Sequence, residues 1–103
     1  MTYRIIFTPR AEAQLRDLRR HIAVSAGRRV AGSYIRAIVA TCKGLSMFPH
    51  RGTMRDDIRP GMRTLGFRRR ATITFMVRDQ SVYIAGVFYG GQDFEAAFRD
   101  EDG

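Results

Sequence analysis

The residues of this chain best suited to bind a charged partner are its arginines. Basic residues number 18 against 10 acidic ones, and every basic residue except Lys43 is an arginine. The densest cluster is Arg68-Arg69-Arg70, with Arg63 shortly before it. Guanidinium groups bind phosphates and carboxylates in bidentate geometry. The cluster is therefore predicted to contact an anionic partner, the alternative being a solvated turn.

Aromatic residues gather in the last quarter of the chain. Residues 83–98 contain five of them, and Tyr89 ends a predicted strand. Aromatic side chains beside arginines can stack on bases or receive a partner helix, although period-2 alternation assigns most of these five to the core or a sheet face. Tyr89 is the exception, because polar tips at the end of a strand are more often functional, and it is predicted to contact a partner.

The residue types that hold metals or carry out covalent catalysis are sparse. The chain has one cysteine, Cys42, and two separated histidines, His21 and His50. It contains no HExxH motif, no paired-carboxylate motif and no phosphate-binding glycine fingerprint. We therefore predict no metal site, no cofactor and no catalytic residue. His21 is expected at the border of a helix face, His50 in a loop, and Cys42 in the core.

The charge is distributed unevenly along the chain. Residues 92–103 carry five acidic residues and one arginine, a net charge of −4. Because the whole chain has a net charge of +8, residues 1–91 carry +12. A body this basic attracts polyanions, either nucleic acid or an acidic protein segment. An acidic and largely disordered partner segment that wraps the domain is the expectation that follows.

The length of 103 residues fits one domain, residues 1–103, and 45% hydrophobic residues exclude a disordered chain. No apolar run approaches the ~18 residues of a membrane span, and the start of the chain does not resemble a secretory signal. A cytoplasmic protein with no membrane partner is predicted.

Periodicity predicts the elements that must position these residues. Residues 3–8 form a strand, Thr8-Pro9 starts a helix, Gly27 ends it, and a second helix runs from Arg28 towards Met47-Phe48-Pro49. The stripe of the second helix is predicted to contain Val30, Tyr34, Ile38, Thr41 and Leu45, with Ala31, Ile35 and Cys42 beside it. Residues 50–61 are predicted to be a loop. Residues 62–67, 71–78 and 82–89 form strands, with a bulge or a close backbone approach predicted at Gly66, and a short helical tail follows.

The predicted order is β-α-α-β-β-β, a small α+β domain with a helical hairpin packed on an antiparallel sheet. The third of these strands should expose Thr72 and Thr74. One core between hairpin and sheet is predicted from eight apolar residues: Leu15, Leu18, Ile22, Ile38, Leu45, Ile73, Phe75 and Val77.

The ordered set of motifs resembles the ParE-like toxins of the RelE/ParE superfamily, from type II toxin–antitoxin (plasmid stabilisation) modules. The motifs are YRIIFTPRAEAQLRDLRRHIA at the start, Phe-Pro, a glycine and Pro-Gly-x-Arg within residues 31–67, and VYIAGVFYGGQDFEAAF near the end. The resemblance implies the fold described above, a ParD-like antitoxin partner and one of two activities. ParE-like members poison DNA gyrase by binding, whereas RelE-like members cleave messenger RNA on the ribosome.

The departures from the RelE-like pattern favour the ParE-like activity. The second strand offers Arg63 and no lysine, and Tyr89 and Gln92 stand where many relatives have histidine and arginine. Arginine stabilises a phosphorane but is too weak an acid to transfer protons readily. The resemblance thus implies a gyrase inhibitor without sequence-specific nucleic-acid binding. Its candidate target or antitoxin contacts are Arg63, Arg68, Arg69, Arg70, Tyr89, Gln92 and Asp93. The alternatives are a RelE-like endoribonuclease and a non-toxic partner that only titrates antitoxins.

Overall fold

The structure is a computed structural model that describes residues 2–102. Within them, the helices are α1 (Pro9–Ala26), α2 (Arg28–Gly44) and α3 (Phe94–Asp102). The strands are β1 (Arg4–Phe7), β2 (Thr53–Met54), β3 (Met62–Phe67), β4 (Ala71–Arg78) and β5 (Ser81–Tyr89). The predicted α+β class is confirmed. The predicted loop at residues 50–61 is wrong in one respect, because it contains the two-residue strand β2, which pairs with β3.

All five strands form one sheet in the order β1-β5-β4-β3-β2. The meander of β3, β4 and β5 is antiparallel, as predicted. The prediction of an entirely antiparallel sheet is wrong at β1, which lies parallel to β5 with Arg4 opposite Ser81 and Phe7 opposite Ile84. The physical reason is that no tight turn joins these two strands, so the hairpin-turn rule that fixes antiparallel direction does not apply to them.

Local capping signals fix the helical hairpin. The side chain of Thr8 accepts a hydrogen bond from the Ala11 N–H at 3.2 Å, and Pro9 occupies the first turn of α1. Gly27 has φ of +95° and donates its N–H to the Ala23 carbonyl at 2.9 Å, so it ends α1 and begins α2. The sequence-based boundary between the helices is therefore confirmed.

The main core lies between the hairpin and one sheet face. Of the eight predicted core residues, six are buried, and Leu15 and Val77 are partly buried against them. The predicted stripe of α2 is wrong at Val30, which is 50% exposed near the start of the helix. The buried face of α2 contains Ile38 of the predicted stripe, Leu45 at the helix end, and Ala31 and Cys42, which were predicted beside the stripe.

A second, smaller core was not predicted from the sequence. It comprises Ile58, Met62, Phe88 and Phe98, with Phe94 and Ala97 of α3 packed against it. Arg55 links α3 to the loop between β2 and β3, because it donates to Asp57 Oδ2 at 2.9 Å and to Glu95 Oε1 at 3.1 Å. The sheet is thus covered by the hairpin on one face and by α3 on the other.

The predicted bulge at Gly66 is wrong, because β3 and β4 pair without interruption and Gly66 lies opposite Thr72. The irregularity lies between β4 and β5, where Thr74 pairs with Gly86 and Phe75 with Ile84. A Cβ on Gly86 would lie 2.6 Å from Phe88 Cε1, so this close approach requires glycine. The prediction that Thr74 is exposed is also wrong: it is fully buried and donates its hydroxyl to the Gly86 carbonyl at 3.3 Å.

Candidate functional site

A groove opens where α1 and α2 meet the end of β5 and the β3–β4 turn. It consists of two adjoining cavities of about 470 and 330 Å³, which share His21 and Tyr89. The larger cavity is also lined by Asp17 and Gln92, and the smaller by Tyr34, Arg68 and Arg70. We call this feature the aromatic–arginine groove.

Backbone pairing brings the two ends of the meander together at this groove. Ala71, the first residue of β4, lies opposite Tyr89, the last residue of β5. The chain turns at Gly90, which has φ of +64° and donates its N–H to the Arg70 carbonyl at 2.8 Å. Residues that are about twenty positions apart in the sequence therefore meet in space.

Edge-to-face ring contacts form the floor of the groove. The ring of Tyr34 lies 5.3 Å from that of Phe67 and 5.9 Å from that of Tyr89, centroid to centroid, and His21 lies 6.1 Å from Tyr89. The guanidinium carbon of Arg68 lies 5.0 Å from the Phe67 centroid and 5.8 Å from the Tyr34 centroid. Such a cation over two rings keeps its charge at the groove surface while its stem packs on apolar area.

The hydroxyl of Tyr34 is buried and makes no hydrogen bond within the described residues. Burial raises the pKa of Tyr34, and neighbouring Tyr89 raises it further, against the lowering effect of Arg68 and Arg70. The phenol therefore stays protonated at neutral pH and keeps a donor for an incoming acceptor. A buried donor without a partner costs free energy, which an acceptor on a bound partner would recover.

The β3–β4 turn holds its arginines in an unusual backbone conformation. Arg68 and Arg69 have φ of +49° and +58°, and the Arg70 N–H donates to the Phe67 carbonyl at 3.1 Å. Left-handed residues in tight hairpin turns are usually glycine or asparagine, because a side chain at positive φ is strained. Strain of this kind is concentrated at functional sites.

Four of the seven predicted contact residues lie at or beside this groove: Arg68, Arg70 and Tyr89 line it together with Gln92. The amide oxygen of Gln92 accepts the Tyr89 N–H at 2.7 Å, so Gln92 also braces the turn that presents Tyr89. Arg69 is exposed at the tip of the same β3–β4 turn.

The other two predicted contact residues lie elsewhere. Arg63, near the opposite end of β3, donates through Nη1 to the carbonyls of His50 at 3.1 Å and Arg51 at 3.3 Å. Asp93 accepts the Ala96 N–H at 3.1 Å and so caps α3. The structure therefore gives both residues local structural partners and does not bring them together with the arginine turn.

Two residues of the groove were missed from the sequence. His21 was expected at the border of a helix face and Tyr34 within the core stripe of α2, yet both line the smaller cavity. In the sequence, each is only a side chain with a polar end that lies next to apolar helix positions. That pattern does not predict that the two helices bring both side chains to one groove.

Within residues 2–102, no cluster of histidine, cysteine, aspartate and glutamate is arranged to hold a metal ion. None of the helices in that range combines the length and the apolar character needed to cross a bilayer.

Known proteins resemble this chain at the level of the family and of the structure. The family model for the ParE toxin of the type II toxin–antitoxin system parDE matches residues 5–94. A structure of the chromosomal ParDE toxin–antitoxin system from P. aeruginosa is 26% identical, covers 86% of this chain and 97% of that one, and superposes with a TM-score of 0.76. No curated protein matches the sequence.

The chain is also similar in fold to E. coli toxin RelE, in the structure of a double arginine-to-alanine mutant in the free state. That comparison gives a TM-score of 0.63 over 99% of this chain and 98% of the other, at 17% identity. At that identity the likeness concerns the fold alone.

Proposed function

Because this chain belongs to the ParE toxin family of type II toxin–antitoxin systems, we propose that it inhibits DNA gyrase by binding and that a ParD-like antitoxin neutralises it. The observation in the structure that best supports this proposal is the convergence of Tyr34, Tyr89, Arg68 and Arg70 at one open groove. Tyrosine and arginine are the residue types that carry much of the energy at protein–protein interfaces. In this proposal the chain itself performs no chemistry.

The groove is suited to a protein segment that is both acidic and amphipathic. Its aromatic floor offers apolar area, and Arg68 and Arg70 offer charge at the rim of the same cavity. The Tyr34 hydroxyl supplies an unused donor beside them. We expect apolar anchors to provide most of the affinity and arginine–carboxylate pairs to steer association and set the register, since exposed pairs contribute only about 0.2–1 kcal/mol each.

Neutralisation follows if the antitoxin and the target compete for this groove. An acidic antitoxin segment, laid as a helix across the groove, would cover Tyr89 and the β3–β4 turn. The net charge of +12 on residues 1–91 attracts an acidic segment of this kind. Toxin bound in this way would have no free groove for gyrase.

A matched pair of double variants tests the role of the groove. Arg70→Gln with Tyr89→Ala removes one cation and one ring from it, whereas Arg78→Gln with Tyr83→Ala removes the same groups at the other end of β4 and β5. Purified wild-type protein should block gyrase supercoiling or trap cleaved DNA. The groove variant should need at least tenfold more protein for the same effect, and the control variant should not. Equal loss in both, with both still folded, would remove the groove from the proposal.

A RelE-like ribonuclease is the second candidate, and one observation favours it. His21, Tyr34 and Tyr89 are titratable groups that line the same cavity as Arg68 and Arg70. RNA cleavage needs a base, an acid and charge stabilisation of the phosphorane, and an imidazole beside arginines could supply part of this set. Codon-phased cuts in a translation extract that disappear in His21→Gln, with supercoiling untouched, would replace the gyrase proposal. We expect intact messenger RNA.

A further inference from the structure

A second positive surface lies on the helical hairpin, outside the aromatic–arginine groove. Its five arginines are Arg16, Arg19 and Arg20 on α1 and Arg28 and Arg36 on α2, and we call it the hairpin arginine face. Four of them, all except Arg36, line a cleft of about 340 Å³ whose remaining walls are Ala23 and Ala31.

The position of Gly32 shows how closely two of these cations approach. Arg36 Nη1 and Arg19 Nη2 lie 3.3 and 3.4 Å from the point that a Cβ on Gly32 would occupy. Two guanidinium groups from different helices thus converge over a residue that has no side chain. Like charges repel at this range, and an anion between them would remove that cost.

Little counter-charge is available on this face. Arg20 contacts Asp17 at 3.3 Å, with both side chains about three-quarters exposed, and exposed pairs of this kind are weak. In the part of the chain that the structure describes, no ion pair joins Arg16, Arg19, Arg28 or Arg36 to a carboxylate. The face therefore carries a net positive charge that the fold itself does not neutralise.

We propose that the hairpin arginine face binds the phosphate backbone of nucleic acid without reading its sequence. The choice between nucleic acid and an acidic peptide rests on the walls of the cleft. A peptide helix needs large apolar anchors seated in pockets, and the side chains that line this cleft are four arginines and two alanines, with no large apolar residue among them. A phosphate backbone needs only a row of cations and the release of its counterions.

The helical wheel separates this surface from the groove described above. On α1 the arginine positions form a stripe separate from Leu18, His21 and Ile22, which line the groove. The two surfaces touch at the exposed pair of Arg20 and Asp17. Binding of nucleic acid here would leave the aromatic–arginine groove open. The proposal is thus independent of gyrase inhibition, and its test uses no gyrase.

The test compares two triple variants that lose the same charge. The first is Arg16→Gln, Arg19→Gln, Arg36→Gln on the hairpin arginine face. The control is Arg4→Gln, Arg51→Gln, Arg78→Gln, whose arginines are exposed and line neither surface. Fluorescence anisotropy with a short labelled DNA duplex of random sequence gives the dissociation constant over a series of salt concentrations.

The face variant should bind at least tenfold more weakly at low salt, and its slope of log affinity against log salt should fall by about 2–3, close to 0.9 per lost phosphate contact. At a salt concentration of about 0.15 M the control should change affinity less than about threefold, because charges farther from the duplex than a Debye length of about 8 Å are then largely screened. Equal weakening in both variants would overturn the proposal, since net charge alone would explain the binding. It would also be overturned if the face variant lost binding to poly-glutamate but kept binding to the duplex.

Arginine footprinting on the wild-type protein keeps the proposal testable if the variants do not fold. Phenylglyoxal modification, followed by mass spectrometry, should show that the duplex protects Arg16, Arg19 and Arg36 and leaves Arg4 and Arg78 reactive. Protection spread evenly over all five would contradict a defined surface.

Discussion

Replacing Arg69 with glycine should stabilise this protein, because its exposed side chain makes no hydrogen bond, ion pair or ring contact with the residues that the structure describes. Arg69 has φ of +58° in the β3–β4 turn, directly after Arg68 at +49°. A side chain in the left-handed region costs about 1–2 kcal/mol, which glycine does not incur. Against this gain, glycine loses about 0.4–1 kcal/mol more unfolded-chain entropy on folding. The net stabilisation expected is about 0.5–1 kcal/mol.

The matched control is Arg69→Ala, which removes the same charge but keeps a Cβ at positive φ. Its free energy of unfolding should stay within about 0.5 kcal/mol of the wild type. Arg68→Gly should also be nearly neutral, because the relief of strain is offset by loss of the cation over Tyr34 and Phe67, about 0.5–1 kcal/mol at an exposed site.

Urea unfolding followed by circular dichroism measures these differences, and thermal unfolding gives an independent value. A gain of about 0.5–1 kcal/mol corresponds to a rise of about 2–5 °C in Tm for a domain of this size. If Arg69→Gly and Arg69→Ala are equally stable, the turn stores no strain. If Arg69→Gly is less stable than Arg69→Ala, the left-handed backbone of the turn is wrong.

Three further outcomes are expected. Changing Arg68, Arg69 and Arg70 together to glutamate should slow antitoxin association in stopped-flow measurements and weaken its salt dependence; an unchanged rate would show that the turn does not steer the antitoxin. Burial raises the pKa of Cys42 to about 12, so its thiol should react with an aromatic disulfide reagent at neutral pH only in denaturant, and fast native reaction would place it at the surface. The hydrogen bond from Arg55 lowers the pKa of Asp57 below 3.8, so its contribution to stability is present above that pH and lost as the pH falls through the folded pKa. Acid unfolding of Asp57→Asn should accordingly depend less on pH below 3.8 than that of the wild type.

The parts of the fold that the sequence predicted well are those specified by neighbours in the chain. Thr8, Pro9 and Gly27 each satisfy or terminate backbone groups within four residues, so the hairpin boundaries needed no tertiary information. The core of hairpin and sheet followed from periodicity, because 3.6 and 2.0 residues per turn already decide which side chains share a face.

The parts that were missed depend on contacts between distant segments. No tight turn in the sequence predicts the parallel pairing of β1 with β5, since the two strands are far apart in the chain. The second core forms only because α3 packs over Phe88. The groove is of the same kind: Tyr34, Arg68 and Tyr89 come from three elements that meet only in the folded chain. Arg63 was grouped with the arginine turn by closeness in sequence, although a strand separates them by roughly 16 Å at 3.3 Å per residue.

The helix α1 shows how one element can serve stability and two binding surfaces without conflict. Its core stripe includes Leu18 and Ile22, its groove stripe includes His21, and its outer stripe carries Arg16 and Arg19. Substitutions on separate stripes should have additive effects where the side chains do not touch, whereas Arg20 and Asp17, which contact each other at 3.3 Å, should show coupling. The arginine excess of this chain therefore need not have one cause, because the arginines of the turn and those of the hairpin lie on two different surfaces.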